Sequence, residues 1–201
     1  MKKILVTGGL GLVGSNFINH IYKVYPQYIV VNLDKSQDKC QKEHFNNAEN
    51  KYKFIQGNIS DRKFIFDLFG REKFDIVVNF AYERDVNKQI DNQSIFTTTN
   101  IVGTQNLLDA CKKYNVSRYH QISTNEVYDD LEDKEMTSYV ASKAAADLLV
   151  ISYYDEHDLK TTISRSNDLY EKEDIKKYCK IIDDIIHEGV AGNIYNIVSG
   201  T

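Results

Sequence analysis

Tyr139 and Lys143 stand four residues apart in Ser138-Tyr139-Val140-Ala141-Ser142-Lys143-Ala144-Ala145-Ala146. On a helix this spacing puts a phenol and an ammonium on one face. A neighbouring cation favours the phenolate, which suits Tyr139 to act as a general base near neutral pH. In a chain with 14 tyrosines the spacing alone is weak. It gains weight from two upstream segments: a glycine-rich turn, Thr7-Gly8-Gly9-Leu10-Gly11-Leu12-Val13-Gly14, and a polar strand end, Ser123-Thr124-Asn125-Glu126.

The glycine turn falls between an apolar strand over Lys3–Thr7 and a helix over Leu12–Val24. Gly8 permits a tight turn, Gly11 lets a pyrophosphate reach the backbone, and Gly14 lets the helix pack close to the sheet. Leu12 and Val13 open the helix whose N-terminus would face that anion. The 8, 11, 14 spacing is wider than G-x-G-x-x-G. Asp34 follows Gly14 by twenty residues, at the end of a second strand (28–33). Its carboxylate can accept hydrogen bonds from an adenosine ribose and would repel a 2′-phosphate, so NAD is expected rather than NADP. Lys35 beside it works the other way.

The elements that must position these groups alternate along the chain. Further strands are expected over Tyr52–Gln56, Asp75–Phe80, Tyr119–Ser123, Lys160–Ser164 and Asn193–Val198. A helix capped by Asp61 carries Phe64, Ile65, Leu68 and Phe69. Thr104, Leu107, Leu108, Cys111 and Tyr114 form a helical stripe within 100–114. Another helix is expected within 175–188. Near-continuous apolar strands between helices predict a Rossmann-type doubly wound parallel sheet, an α/β fold of about seven strands with helices on both faces. The regular alternation weakens near Arg165. The expected division is a dinucleotide-binding domain over 1–165 and a reduced appendage over 166–201 packed on it.

A chain of 201 residues, 42% of them hydrophobic, can bury a sizeable core. A net charge of -4 with scattered Lys and Arg argues against nucleic acid or an anionic membrane as partner. Apolar runs such as Ile4-Leu5-Val6 are too short for a signal peptide or a membrane span. Cys40, Cys111 and Cys179 are few and far apart, which fits a reduced, cytoplasmic setting. No metal site is expected. The single proline, Pro26, stands where average usage gives about ten.

Four segments together resemble the extended short-chain dehydrogenase/reductases: Thr7 to Gly14, Asn100-Ile101-Val102-Gly103-Thr104, Ser123 to Tyr128, and Tyr139-x-x-x-Lys143. Ser142 to Val150 is especially similar to nucleotide-sugar 4,6-dehydratases of the dTDP-glucose type. The match runs from residue 1 to about 165 and returns over Gly192 to Ile197. The resemblance implies tightly held NAD and a nucleotide-sugar substrate, a dTDP- or UDP-hexose. It implies that Tyr139 removes the sugar 4-hydroxyl proton as hydride leaves. Lys143 holds the nicotinamide ribose and lowers the Tyr139 pKa, and Thr124 hydrogen-bonds the same sugar oxygen. Glu126 removes the hydrogen at position 5, a base role suited to a carboxylate beside an apolar nicotinamide face. The resemblance also sets Asn58, Ile59, Phe80, Ala81, Asn100 and Ser123 along the cofactor, and Glu83, Arg84 and Asp168 with Thr124 against the substrate. A homodimer through helices near 100–114 and 138–155 is implied as well.

The chain departs from that pattern. Asn125 stands where the dehydratases carry the acid that protonates the departing 6-hydroxyl, and a carboxamide has no such proton to give. Asn58 replaces an acid after the third strand, Arg84 and Asp85 replace Ser and His, and Asp168 takes an Asn position in Arg165-Ser166-Asn167-Asp168-Leu169-Tyr170. Most of the family's sugar-nucleotide segment after that motif is missing. The favoured expectation is an NAD-dependent nucleotide-sugar 4,6-dehydratase. A non-catalytic NAD-binding paralogue, or an epimerase or decarboxylase of the same superfamily, remain alternatives.

Overall fold

The computed structural model describes residues 1–36, 51–84, 94–127, 137–166 and 172–197. Seven strands form one sheet: β1 (Lys3–Thr7), β2 (Ile29–Asp34), β3 (Tyr52–Gln56), β4 (Ile76–Asn79), β5 (Arg118–Thr124), β6 (Thr161–Ser166) and β7 (Ile194–Ile197). Their order is β3-β2-β1-β4-β5-β6-β7, every neighbour parallel. The order reverses between β1 and β4, and a crevice forms there beyond the carboxyl ends of the strands. The expected doubly wound sheet is therefore present. Strand ends differ from the sequence reading by one or two residues, as at Ile29 for Tyr28 and Ser166 for Ser164.

Side chains alternate across this sheet with the period of two that a strand imposes. Ile4, Val6, Val30, Ile76 and Val78 pack against α1 (Leu12–Val24) and α5 (Lys172–Glu188). Leu5, Val31, Val77, Tyr119 and Ile163 pack on the other face. That face is covered by α2 (Arg62–Glu72), α3 (Gly103–Lys113) and α4 (Ser138–His157). Asp61 caps α2 by accepting from Phe64 N at 3.0 Å. A wide π-helical turn, Thr97–Val102, leads into α3, so the expected helix begins before Asn100. β7 pairs with β6, which places the 172–197 stretch on the same sheet.

A buried polar strip crosses the sheet beneath the glycine turn. Thr7 Oγ1 donates to Asn79 Oδ1 at 2.5 Å, and Asn79 Nδ2 donates to Gln121 Oε1 at 3.0 Å. Tyr119 Oη donates to the same Gln121 oxygen at 2.5 Å. Ala81 N donates back to Thr7 Oγ1 and Asn79 Oδ1, which fixes the backbone as it leaves β4. Among the described residues Cys111 and Cys179 are free and buried. Also among the described residues, no helix is long and apolar enough to cross a membrane, and no cluster has metal-ligand character.

The seam between α1 and α5 holds a buried charge. Asp183 Oδ2 lies 2.7 Å from His20 Nε2, and Asp183 Oδ1 lies 2.8 Å from His187 Nδ1. The His187 ring stacks on Tyr25 at 4.6 Å between centroids, and its Nε2 meets Tyr28 Oη at 3.1 Å. The hydrogen bond to Asp183 raises the His187 pKa above its ordinary 6.5. Burial works to raise Asp183, but hydrogen bonds from His187 and His20 hold it below its ordinary 3.8. The His187 contribution to stability is therefore full below pH 6.5 and is lost as pH rises through the higher folded value. The Asp183 contribution is present above 3.8 and is lost as pH falls through the lower folded value. Denaturant unfolding from about pH 5.5 to 8.5 should show wild type more stable than His187→Gln at the acid end, with the gap narrowing as pH rises. A gap constant across that range would contradict the pairing.

Candidate functional site

The carboxyl ends of β1, β2, β4 and β5 open into two cavities that share Gly8, Gly11, Phe80, Tyr82 and Arg84. The first, about 430 Å³, is lined by Leu10, Asp34, Lys35, Asn58, Ile59 and Ala81 among others. The second, about 380 Å³, is lined by Leu12, Val13, Gly14, Ser123, Thr124, Tyr139 and Lys143, with Ser166 and Tyr178. They form one trough over the glycine turn.

The glycines are sterically required. Gly8 has φ 68°, and a Cβ there would fall 2.8 Å from the Ala81 nitrogen. A Cβ on Gly14 would fall 2.5 Å from the Gly8 carbonyl oxygen, a backbone atom that cannot swing aside. Gly11 precedes α1 and offers no side-chain cap, so the first-turn N–H groups of Leu12, Val13 and Gly14 present a positive helix end to the trough. Asp34 supports the same loop: one oxygen accepts from Leu10 N at 3.0 Å, the other from Ser36 N at 2.9 Å. Lys35 Nζ pairs with the buried Glu83 carboxylate at 2.6 Å, so Glu83 bounds the first cavity rather than the second. Asn58 Oδ1 accepts from Ser60 N at 3.0 Å, turning the chain after β3.

At the other end, α4 brings Tyr139 and Lys143 to the second cavity together. Thr137 caps the helix by accepting from Val140 N at 3.2 Å. Tyr139 is 9% exposed and Lys143 2%. The Lys143 ammonium donates to Ile122 O at 2.7 Å and lies 4.9 Å from the centre of the Tyr82 ring. Burial pulls the Lys143 pKa down to about 8, against the opposing pull of the Asp147 carboxylate. The Arg84 guanidinium lies 5.6 Å over the Tyr139 ring and 3.4 Å from Glu126 Oε1.

Several expected site residues have other partners. The Asn100 amide is held between two segments: its oxygen accepts from Glu83 N at 2.7 Å, and its nitrogen donates to Glu83 O at 3.0 Å and to Ser142 Oγ at 2.8 Å. Asn125 and Glu126 form a short 3-10 turn after β5. Neither lines the two cavities, and the Glu126 side chain, 34% exposed, is paired with Arg84 instead of facing an apolar wall. Asp168 lies outside the described residues. Sequence reasoning missed Tyr82, Ser166 and Tyr178 as cavity walls. Tyr178 belongs to a helical stripe with Ile175, Cys179 and Ile182 that reads as core, yet it also lines the second cavity.

The chain matches the family described as GDP-mannose 4,6 dehydratase over residues 5–194. Human dTDP-D-glucose 4,6-dehydratase is 38% identical over 182 residues, covering 84% of this chain and 51% of the human protein. The low-salt glycan biosynthesis protein Agl12 of Haloferax volcanii is 32% identical over 246 positions, covering 98% of this chain and 77% of that protein. That alignment exceeds the 201 residues here, so Agl12 carries residues with no counterpart in this chain. The dTDP-glucose 4,6-dehydratase of Bacillus anthracis, solved in complex with NAD, superposes with a TM-score of 0.86 at 26% identity, over 100% of this chain and 76% of that one. Fold and trough together define an extended short-chain dehydrogenase/reductase. Within that class the chain belongs to the GDP-mannose 4,6 dehydratase family and is related to the dTDP-glucose 4,6-dehydratases. It spans about half the length of the first curated relatives it matches.

Gly14→Ala tests the turn directly. Forcing a Cβ against the Gly8 carbonyl should destabilise the chain by roughly 1–3 kcal/mol in denaturant unfolding. Wild-type stability would contradict the tight packing of α1 on β1.

Proposed function

We propose that this chain is an NAD-dependent nucleotide-sugar dehydratase that oxidises its sugar at position 4. The observation that carries the reading is the convergence of Tyr139, Lys143 and Thr124 on a cavity continuous with the glycine turn. The trough fits NAD on its own features: glycine positions where a Cβ would collide with backbone, an uncapped helix N-terminus for a pyrophosphate, and Asp34 at the ribose end. Relatives solved with NAD support the same assignment. NAD, when bound, accepts a hydride and later returns it.

The chain's own residues move the protons. Tyr139 takes the proton of the 4-hydroxyl through its phenol oxygen, the buried Lys143 charge favours the phenolate, and Thr124 orients the substrate oxygen. A ketone at position 4 acidifies the hydrogen at position 5, and Glu126 takes it as a proton and passes it to the 6-hydroxyl, which leaves as water. The double bond so formed is closed by hydride at position 6 and a solvent proton at position 5. Arg84 pairs with Glu126, so it must release that carboxylate, and a substrate diphosphate or phosphate is a suitable new partner for its guanidinium. Asn125 favours a second reading, an epimerase or decarboxylase that needs no acid there. A homodimer through α3 and α4 is part of the proposal. Val102 and Leu148, 42% and 60% exposed, leave apolar surface at the start of α3 and on α4.

Incubation with NAD and dTDP- or UDP-hexoses should yield a 4-keto-6-deoxy product. Tyr139→Phe should lower the rate by roughly 10²–10⁴-fold while leaving NAD binding in place. Absence of turnover with every nucleotide sugar would contradict the proposal, and an inverted or decarboxylated product would establish the second reading. Light scattering should return twice the chain mass, and a monomer would reject the dimer.

A further inference from the structure

Tyr139, Lys143 and Asp147 recur at every fourth position of α4, so three ionisable groups descend one buried helix face. Asp147 is wholly buried. Its Oδ2 accepts from Ser123 Oγ at 3.0 Å and from Arg165 Nε at 2.9 Å, and its Oδ1 has no hydrogen-bond partner among the described residues. Lys143 Nζ donates to Ile122 O, so successive turns of α4 are tied to successive residues of β5, and Arg165 adds β6. Lys143 and Arg165 are both buried, and so is the Asp147 carboxylate. The groups facing them are Tyr139 on α4, Tyr82 and Arg84 after β4, Tyr119 and Glu126 on and after β5, and Tyr178 on α5. Of the nearby carboxylates, Glu126 pairs with Arg84 and Glu83 with Lys35. Asp147 acts on Lys143 and pairs with Arg165 at 2.9 Å.

We propose that Asp147 is a positioning residue for proton transfer at Tyr139: its carboxylate keeps Lys143 protonated and fixes α4 against β5 and β6. The proposal rests on the oxidative reading of the site. A buried ammonium without a compensating charge gives up its proton. Burial already pulls Lys143 down to about 8, and Asp147 opposes that pull. Burial raises the Asp147 pKa in turn, while Lys143 and Arg165 bring it back down. With Asp147 neutralised, the pull that opposes burial at Lys143 is gone, and Lys143 would lose its proton at a lower pH. Tyr139 would then lose the cation that favours its phenolate.

The test is the titration of the Lys143 side chain, read from the Cε resonance in 13C-lysine-labelled full-length chain, with and without NAD. The signal is assigned by its loss in Lys143→Arg. Asp147→Asn, nearly isosteric, should move the Lys143 midpoint down by about one pH unit or more. If Asp147→Asn fails to fold, Asp147→Ser, smaller and equally uncharged, is read in its place, with the same downward shift expected. A midpoint unmoved in the folded variants overturns the proposal. In turnover, the alkaline limb of the pH–rate profile, where Lys143 gives up its proton, should move to lower pH in Asp147→Asn, whereas uniform loss without displacement marks a merely structural role and also overturns it. Absence of turnover in wild type with the midpoint shifts intact would remove the oxidative reading and leave the charge coupling standing.

Discussion

The site depends on one buried hydrogen bond, the Lys143 ammonium donating to the carbonyl of Ile122 at 2.7 Å. Ile122 lies two residues before the end of β5, so this bond sets where α4 lies along the strand. Tyr139, one turn toward the helix N-terminus, is thereby carried to the carboxyl end of the sheet. The same end collects the glycine turn after β1 and Asp34 at the end of β2, because every strand runs parallel. A charged group this deep is tolerated only where its donors are used and a counter-charge is near. Here the carbonyl, the Tyr82 ring face and Asp147 serve those needs.

Polar networks hold the rest of the frame. The strip through Thr7, Asn79 and Gln121 fixes the backbone as it leaves β1 and β4. Asn100 joins the segment after β4 to α4 through Glu83 and Ser142, and Ser142 Oγ donates in turn to Tyr139 O at 2.7 Å. The π-helical turn that carries Asn100 widens the backbone where its amide must reach both segments. Tyr82 and Arg84 then line both cavities, beside Tyr139 and Lys143. Their aromatic and cationic contacts run from Lys143 through Tyr82 and Tyr139 to Arg84 and Glu126.

Much of this was legible in the sequence. Buried parallel strands are apolar on both faces, so β1, β2 and β4 stand out as short runs of Ile, Val and Leu. Asp61 announced α2 through capping chemistry, and Tyr139 with Lys143 announced one face of α4. What the sequence did not reveal depends on partners far away along the chain. Asp147 extends the Tyr139–Lys143 spacing by one more turn, but its meaning needs Arg165 across the sheet. Tyr178 reads as core because its stripe is core. Glu126 reads as a base near an apolar wall, yet its carboxylate turns to Arg84 because the chain after β4 brings a guanidinium within reach. Lys172-Glu173-Asp174 carries no apolar signal, so the helical pattern of α5 becomes readable only from Ile175.

The central claim is that hydride leaves the sugar at the Tyr139–Lys143 pair and returns to the same molecule. The most direct measurement uses a nucleotide hexose carrying deuterium at position 4, with product analysis by mass spectrometry and NMR. The account predicts deuterium at position 6 of a 4-keto-6-deoxy product. Deuterium retained at position 4, or lost wholly to solvent, would contradict it.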